Sequence, residues 1–494
     1  MNFNITDYYI KAINIILWII LFYFIFIFVF DGLTNPNLTF DEAGQFWLCK
    51  GLHHFSPLNS IEGNIIDTMK FNRIFNLDPG GLSFIGFFWL KISNSVFFIR
   101  LLPFLFSIFC VFFLYKILLE LKLNSQTAFL ISLFFFLSKS LVIFTFTFRA
   151  YIFEILGVLI LLYLLIKYKD ILFKPSILAL FSIVFNIFMW TRYGFIINII
   201  AVNFLIIFIV FDNKALNNNF IKNFLLIIVI PLILNFVFMY FYEIKYHLRG
   251  GPTSPTLWYK ENLTLKHNSF FETLYNNFFC TRGLPFLFFI LTIISNLKYN
   301  FFNICRNIKY IFYWMIAVHI FTIIFSFFGY YPWYIKGRWG LTLEFISLLS
   351  AIILFILIIK KIEIKSELIK HYKTTLILIM LFVLFNFRSF NYKSYCIEFL
   401  SKFNNSHAKI AFVNWYLTPE TKFNLIYNPK FKKLYKTKEF NFYEYKEINK
   451  QPKKHTWFLV SDPTNLELKN ELKILKFRYK FIFISSSGLI LEAL

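Results

Sequence analysis

Runs of about 20 predominantly apolar residues recur along most of this chain, and a helix of that length is what a hydrocarbon core requires. They lie at 10–30, 97–116, 126–146, 151–167, 176–192, 194–211, 223–241, 281–297, 310–329, 340–359 and 374–387. Lipid offers the backbone no hydrogen bonds, so the runs read as helices and the chain as an α-helical polytopic membrane protein of about 11 transmembrane helices. The composition agrees: 58% of the 494 residues are hydrophobic and 15% are charged, whereas soluble domains carry about a quarter. The first run, Ile10 to Phe30, has no small-residue cleavage site and is expected to stay as a helix.

The formal net charge is +24. In a soluble protein that excess would raise nucleic acid as a partner. Here the lysines sit mostly in short loops and in the tail, which points to membrane lipid and topology instead, with no nucleic acid. The connections holding Lys116/Lys122, Lys167/Lys169/Lys174, Lys214/Lys222, Lys298/Arg306/Lys309 and Lys360/Lys361/Lys365/Lys370/Lys373 are therefore assigned to the cytoplasmic side. The C-terminal domain then falls outside. Cys49, Cys110, Cys280, Cys305 and Cys396 are scattered, with neither a disulfide framework nor a zinc spacing.

Residues 1–387 form the expected transmembrane domain, with two long outer segments at 31–96 and 242–280. Loops of that length in a compact protein usually carry function. Within the first, Leu82 to Lys91 is too short to cross and reads as an interfacial helix. Residues 388–494 read as a small α/β domain: Lys409–Asn414, Thr456–Ser461 and Lys480–Ser485 are β-like, and Asn465–Lys473 is helical in character.

Carboxylates are scarce, so their placement carries information. Leu38-Thr39-Phe40-Asp41-Glu42-Ala43 lies just beyond the first span. Two adjacent acids there can turn one carboxylate to a substrate hydroxyl, as a catalytic base requires. Thr39-x-x-Glu42 is equally a capping box for a helix starting at Phe40. The two readings are compatible, because a capped helix would hold Asp41 rigidly. Leu77-Asp78-Pro79-Gly80-Gly81-Leu82 is a turn leading into the interfacial helix. Phe148-Arg149-Ala150-Tyr151 and Trp333-Tyr334-Ile335-Lys336-Gly337-Arg338-Trp339 sit at outer ends of spans. Arg beside Tyr or Trp serves either as an interfacial anchor or as a guanidinium clamp on phosphate. Arg192-Tyr193-Gly194 is a similar, weaker case, and Lys139 is either a snorkelling or an inward-facing cation. His53 and His54, near Glu62 and Asp67, are candidate metal ligands or surface histidines, as are His247 and His267.

Taken in order, these elements resemble the GT-C superfamily of membrane glycosyltransferases, in particular protein O-mannosyltransferases, lipid A aminoarabinose transferases and rhizobial lipopolysaccharide-core transferases. The resemblance runs through about 350 residues: Asp41-Glu42 after the first span, the Asp78-Pro79-Gly80-Gly81 turn, Arg100-Leu101-Leu102-Pro103, Arg149-Ala150-Tyr151, and Arg338-Trp339. Two positions depart from it, since relatives often carry Pro-Pro or Lys-Pro at the turn and Tyr after the late Arg. It implies a sugar donor on a polyprenyl phosphate and an acceptor hydroxyl on an envelope glycan, lipid or protein, at the outer face of a bacterial inner membrane. Asp41, with Glu42, would be catalytic, and Arg149, Tyr151, Lys336 and Arg338 would bind the donor phosphate. No cofactor is certain; relatives that place a divalent metal near that phosphate make Asp78, Pro79, His53 and His54 the candidate donor or metal contacts. The rival readings are a transporter or flippase of an envelope precursor, and an assembly protein without catalysis.

Overall fold

The computed structural model describes residues 2–53, 56, 60–76, 78–137, 139–245, 265, 269–275, 306–333, 340–365, 395–414, 417–443, 456–461, 479–485 and 488–493. Among the described residues, six helices are long and apolar enough to cross a membrane: Ala12–Thr34, Val96–Glu120, Tyr151–Ile171, Phe195–Asp212, Asn218–Ile244 and Asn307–Phe327. Three shorter apolar helices, Ser125–Phe135, Pro175–Phe188 and Leu341–Ile356, accompany them. The chain is a predominantly helical, multi-pass membrane protein that includes a small sheet. The expected runs 281–297 and 374–387 lie outside the described residues.

The expected span 126–146 is broken. Ser125–Ser132 is α-helical, Leu133–Leu137 tightens to a 3-10 helix, and a new α-helix runs Lys139–Phe146. Ser132 Oγ donates to the Phe129 carbonyl at 2.6 Å, competing locally with the regular ladder. The side chain of Lys139 lies outside the described set.

The residues fall into two compact units: 1–30, 77–82 and 103–388 in the first, 31–76, 83–102 and 389–494 in the second. In the first, the Tyr151–Ile171 helix is central, with 72% of its apolar window buried. It is hydrophobic on all sides, as a helix enclosed by others must be. Ala12–Thr34 and Asn218–Ile244 are peripheral, with 11% and 17% of theirs buried. Ile16, Phe22, Phe26, Ile233 and Leu234 are exposed on them, a lipid-facing pattern.

In the second unit, α1 (Asn2–Thr34) has ended and the chain enters α2 (Phe40–Cys49), α3 (Ile65–Phe75) and α4 (Gly81–Trp89), followed by the start of α5 (Val96–Glu120). The helix expected at Leu82–Lys91 is thus α4, Gly81–Trp89. The tail supplies a five-stranded sheet in the order β2-β1-β3-β5-β4, with β1 Ile410–Asn414, β2 Glu439–Tyr443, β3 Trp457–Ser461, β4 Tyr479–Ser485 and β5 Gly488–Ala493. β1 runs parallel to β2 and β3, and β5 antiparallel to β3 and β4. Phe399, Leu400 and Phe403 of the Tyr395–Asn404 helix pack on Ala411, Val413 and Trp457 to form its core. The helix expected at Asn465–Lys473 lies outside the described residues.

α2 belongs to this unit because its apolar face meets the tail helix Thr418–Tyr427. Phe46 packs edge-on against Phe423 and Tyr427, with ring centroids 5.0 and 5.3 Å away, and Trp47 Nε1 donates to the Pro419 carbonyl at 2.9 Å. Both anchors are buried aromatics, whose burial stabilises by about 1.5–3 kcal/mol each.

Candidate functional site

The Asp41-Glu42 pair opens α2 as a capping box. Thr39 Oγ1 accepts from the Glu42 amide at 3.2 Å, and Glu42 Oε2 accepts from the Thr39 amide at 2.9 Å. Glu42 is buried and is also gripped by Arg100, whose Nε lies 3.2 Å from Oε1 and whose Nη2 lies 3.3 Å from Oε2. The same guanidinium donates to the carbonyls of Gly32, Asn35 and Asn37 at 3.2, 2.8 and 2.5 Å. Arg100 thereby wraps the turn after α1 and satisfies a carboxylate that could not stay charged alone in this interior. Asp41, one residue earlier, is only half-buried.

A buried amide network holds the other face of α2. Gln45 Nε2 donates to Ser83 Oγ at 2.7 Å, Ser83 Oγ to Asn72 Oδ1 at 2.6 Å, and Asn76 Nδ2 to Asn72 Oδ1 and Gln45 Oε1 at 2.8 and 3.2 Å. Helices α2, α3 and α4 are joined by these four side chains. The first turn of α2 is therefore fixed, which is what the capped-helix reading of Asp41 asks of it.

His53 stacks on Phe75 at 5.0 Å and meets Phe71 edge-on at 4.9 Å. Burial lowers its pKa, and the nearby Lys422 charge adds to this, so the ring is neutral at pH 7. Glu62 is engaged by Lys91 and, at 3.9 Å, by Lys50, while Asp67 sits in the first turn of α3 under its Asn64 cap. Among the described residues no group of three or more His, Cys, Asp and Glu is placed to hold a metal. His54, His247 and His267 lie outside the described residues.

The second constellation is in the transmembrane unit and is built at helix ends. Arg149 precedes the Tyr151–Tyr168 helix, Arg192 lies in the connection between Pro175–Phe188 and Phe195–Asp212, and Asp78 heads the turn into α4. Asp78 Oδ2 takes Arg149 Nη2 at 3.1 Å, and its Oδ1 takes Arg192 Nε at 3.3 Å. Arg192 Nη1 reaches Glu154 Oε2 at 2.6 Å, and Thr342 Oγ1 donates to Glu154 Oε1 at 2.9 Å. All of these side chains are buried. The turn itself is clamped: the Gly80 amide donates to Glu243 Oε1 and the Gly81 amide to the Trp190 carbonyl, each at 2.9 Å. A Cβ on Gly81 would stand 2.4 Å from that carbonyl oxygen, so only glycine permits the approach. Pro79 shares this turn.

The Tyr151 ring lies against both guanidiniums, with its centroid 4.9 Å from the Arg192 carbon and 5.9 Å from that of Arg149. Its hydroxyl is buried and has no hydrogen-bond partner among the described residues. Nearby, burial holds the Tyr331 phenol well above the usual range and the Glu154 carboxylate adds to the effect, so it remains a protonated hydroxyl.

Of the expected phosphate-binding residues, Arg149 and Tyr151 come together, while Lys336 and Arg338 lie outside the described residues. Three partners were not singled out as such. Arg192 reads in the sequence as the weaker cation, and Asp78 as a turn residue and candidate donor or metal contact rather than the partner of two guanidiniums. The available signal was Glu154 itself, since a carboxylate in the first turn of an otherwise apolar helix requires a buried partner. Compared with known proteins, the chain matches no family model and no curated sequence.

Proposed function

We propose that this protein is a membrane glycosyltransferase that moves a sugar from a polyprenyl-phosphate donor to an acceptor hydroxyl, with inversion at the anomeric carbon. The observation that carries the reading is the buried Tyr151, whose ring lies against two guanidiniums that share Asp78 and whose hydroxyl has no partner among the described residues. A phosphoryl oxygen would accept from the phenol, and a guanidinium fork suits phosphate geometry. In the mechanism that the family resemblance implies, Asp41 takes the proton of the acceptor hydroxyl as its oxygen bonds to the anomeric carbon. The bond from that carbon to the phosphate oxygen breaks, and Arg149 and Arg192 stabilise the anionic lipid phosphate that leaves. A leaving group of that kind needs no second acid, in contrast to glycoside hydrolysis. Glu42 is then a positioning residue, its oxygens taken up by Thr39 and Arg100.

The transporter reading draws on the buried Glu154–Arg192 pair, since intramembrane ionisable groups often mark transport paths. The placement of Glu154 in a first helical turn and of Arg192 in a connection favours chemistry near a membrane surface over a midplane site. The outer-face orientation, the bacterial inner membrane and the extracytoplasmic tail belong to the same proposal and rest on the lysine pattern and the family resemblance.

The test is Asp41→Asn in a strain lacking the native gene, with surface glycans and polyprenyl-phosphate sugars read by mass spectrometry. The expected result is a glycan short of one residue and accumulation of its lipid-linked donor, with insertion of the variant intact. Normal glycans in that strain would remove Asp41 from the mechanism.

A further inference from the structure

Beside the Glu154–Thr342 hydrogen bond lies a small cavity in the transmembrane unit, with room for one water-sized group. Its described lining includes Asn198, Thr322, Tyr331 and Thr342, with Gly194 and Gly340. Asn198 belongs to the Phe195–Asp212 helix, Thr322 to Arg306–Phe327 and Thr342 to Leu341–Lys365, so three helices contribute polar atoms.

The hydrogen-bond directions define what the cavity lacks. Thr322 Oγ1 spends its proton on the Val318 carbonyl at 2.7 Å, and Thr342 Oγ1 spends its own on Glu154. Both threonines therefore present lone pairs to any occupant. Asn198 is 1% exposed, and its Oδ1 has no partner among the described residues, while its Nδ2 reaches Thr342 Oγ1 at 3.5 Å. A buried acceptor of this kind is costly unless a donor meets it. Gly194 lets the Tyr331 hydroxyl approach its backbone, because a Cβ there would lie 2.4 Å from that oxygen. No charged side chain is among the described lining residues, so the occupant that fits is uncharged.

We propose that this cavity is a binding site for one uncharged hydroxyl, whose proton is donated to the Asn198 Oδ1. Two sources share that chemistry: a resident water, and a hydroxyl of the transferred sugar. The sugar source rests on the transferase reading. The water source does not, so failure of that reading leaves the site itself standing. In either case the occupant would sit next to Thr342, whose bond to Glu154 leads through Arg192 to Asp78.

The experiment uses the full-length protein in lipid nanodiscs, as wild type, Asn198→Leu and the near-isosteric Thr322→Val. Thermal unfolding is followed without sugar and with short-chain prenyl-phosphate glucose, mannose and their monodeoxy analogues. A resident water predicts that both variants unfold at lower temperature than wild type without sugar, with donor-induced shifts unchanged. A sugar hydroxyl predicts about tenfold weaker donor binding in Asn198→Leu. The same loss must then appear in wild type with one deoxy donor, with no further loss on combining the two. The proposal is overturned if Asn198→Leu unfolds at the same or a higher temperature and binds every donor as wild type does, since the carbonyl would then have had no donor to lose. It is equally overturned if wild type is stabilised by sodium over choline at equal ionic strength and Asn198→Leu is not, which would make the occupant a cation.

Discussion

Glu154 and Arg192 meet at 2.6 Å although 38 residues separate them, and the same guanidinium then reaches Asp78 at 3.3 Å. One arginine thus ties the central helix of the transmembrane unit to the turn that begins α4. The pair is buried, and among the described residues its members are satisfied by each other and by Thr342 and Asp78.

Glu154→Ala leaves Arg192 with one carboxylate instead of two. Removing one member of a buried pair costs about 3–5 kcal/mol. The expected outcome is a clear fall in the unfolding midpoint in detergent, with Glu154→Gln losing less because it can still accept from Thr342.

Arg100→Ala strands Glu42 and releases the carbonyls of Gly32, Asn35 and Asn37. A loss of about 3–5 kcal/mol is expected. Arg100→Lys should recover little of it, because an ammonium cannot replace the planar fork. Limited proteolysis between α1 and α2 reads the effect directly, and unchanged cleavage would remove Arg100 from the role.

Tyr151→Phe removes a hydroxyl with no partner among the described residues and should leave the unfolding midpoint unchanged or slightly raised. Donor binding should weaken about tenfold if the phenol donates to a phosphate. Equal donor affinity in the two proteins would separate Tyr151 from the donor site.

Gly81→Ala places a methyl against the Trp190 carbonyl and forces the Asp78 turn to move. Overpacking of this kind costs about 1–3 kcal/mol. Ala at Gly44, where nothing lies within 4 Å of the added carbon, is the matched control and should be silent.

Lys422 is buried against the Ser56 carbonyl, and burial brings its pKa down to about 8. An unfolded lysine titrates near 10.4. Between these values the unfolded chain binds more protons than the folded one, so stability rises with pH across about pH 8 to 10. Below that window both states are protonated and the contribution is gone. Lys422→Met should flatten this part of the pH–stability curve, measured by urea unfolding; an unchanged slope would assign it to another group.

Much of the architecture is legible locally. The apolar runs mark the helices because lipid requires a helix of a set length, and those within the described residues fall on helical structure. The Thr39–Glu42 capping box is equally local: donor and acceptor are three residues apart, so spacing alone specifies it. Strands β1, β3 and β4 follow from short β-branched and aromatic runs. β2, Glu439–Tyr443, is short and lies within a lysine-rich stretch that reads as a connection, and its pairing with β1 is what makes it a strand.

The partners of the buried charges belong to the tertiary structure. Arg100 finds Glu42 58 residues away, and Arg192 finds Asp78 114 residues away. The sequence by itself dictated that such groups could not remain alone among apolar helices, because an unpaired charge in that medium is too costly. It could not dictate which carboxylate each guanidinium would meet. That choice depends on where helix ends and turns converge after packing, and neither periodicity nor spacing along the chain encodes such a distance.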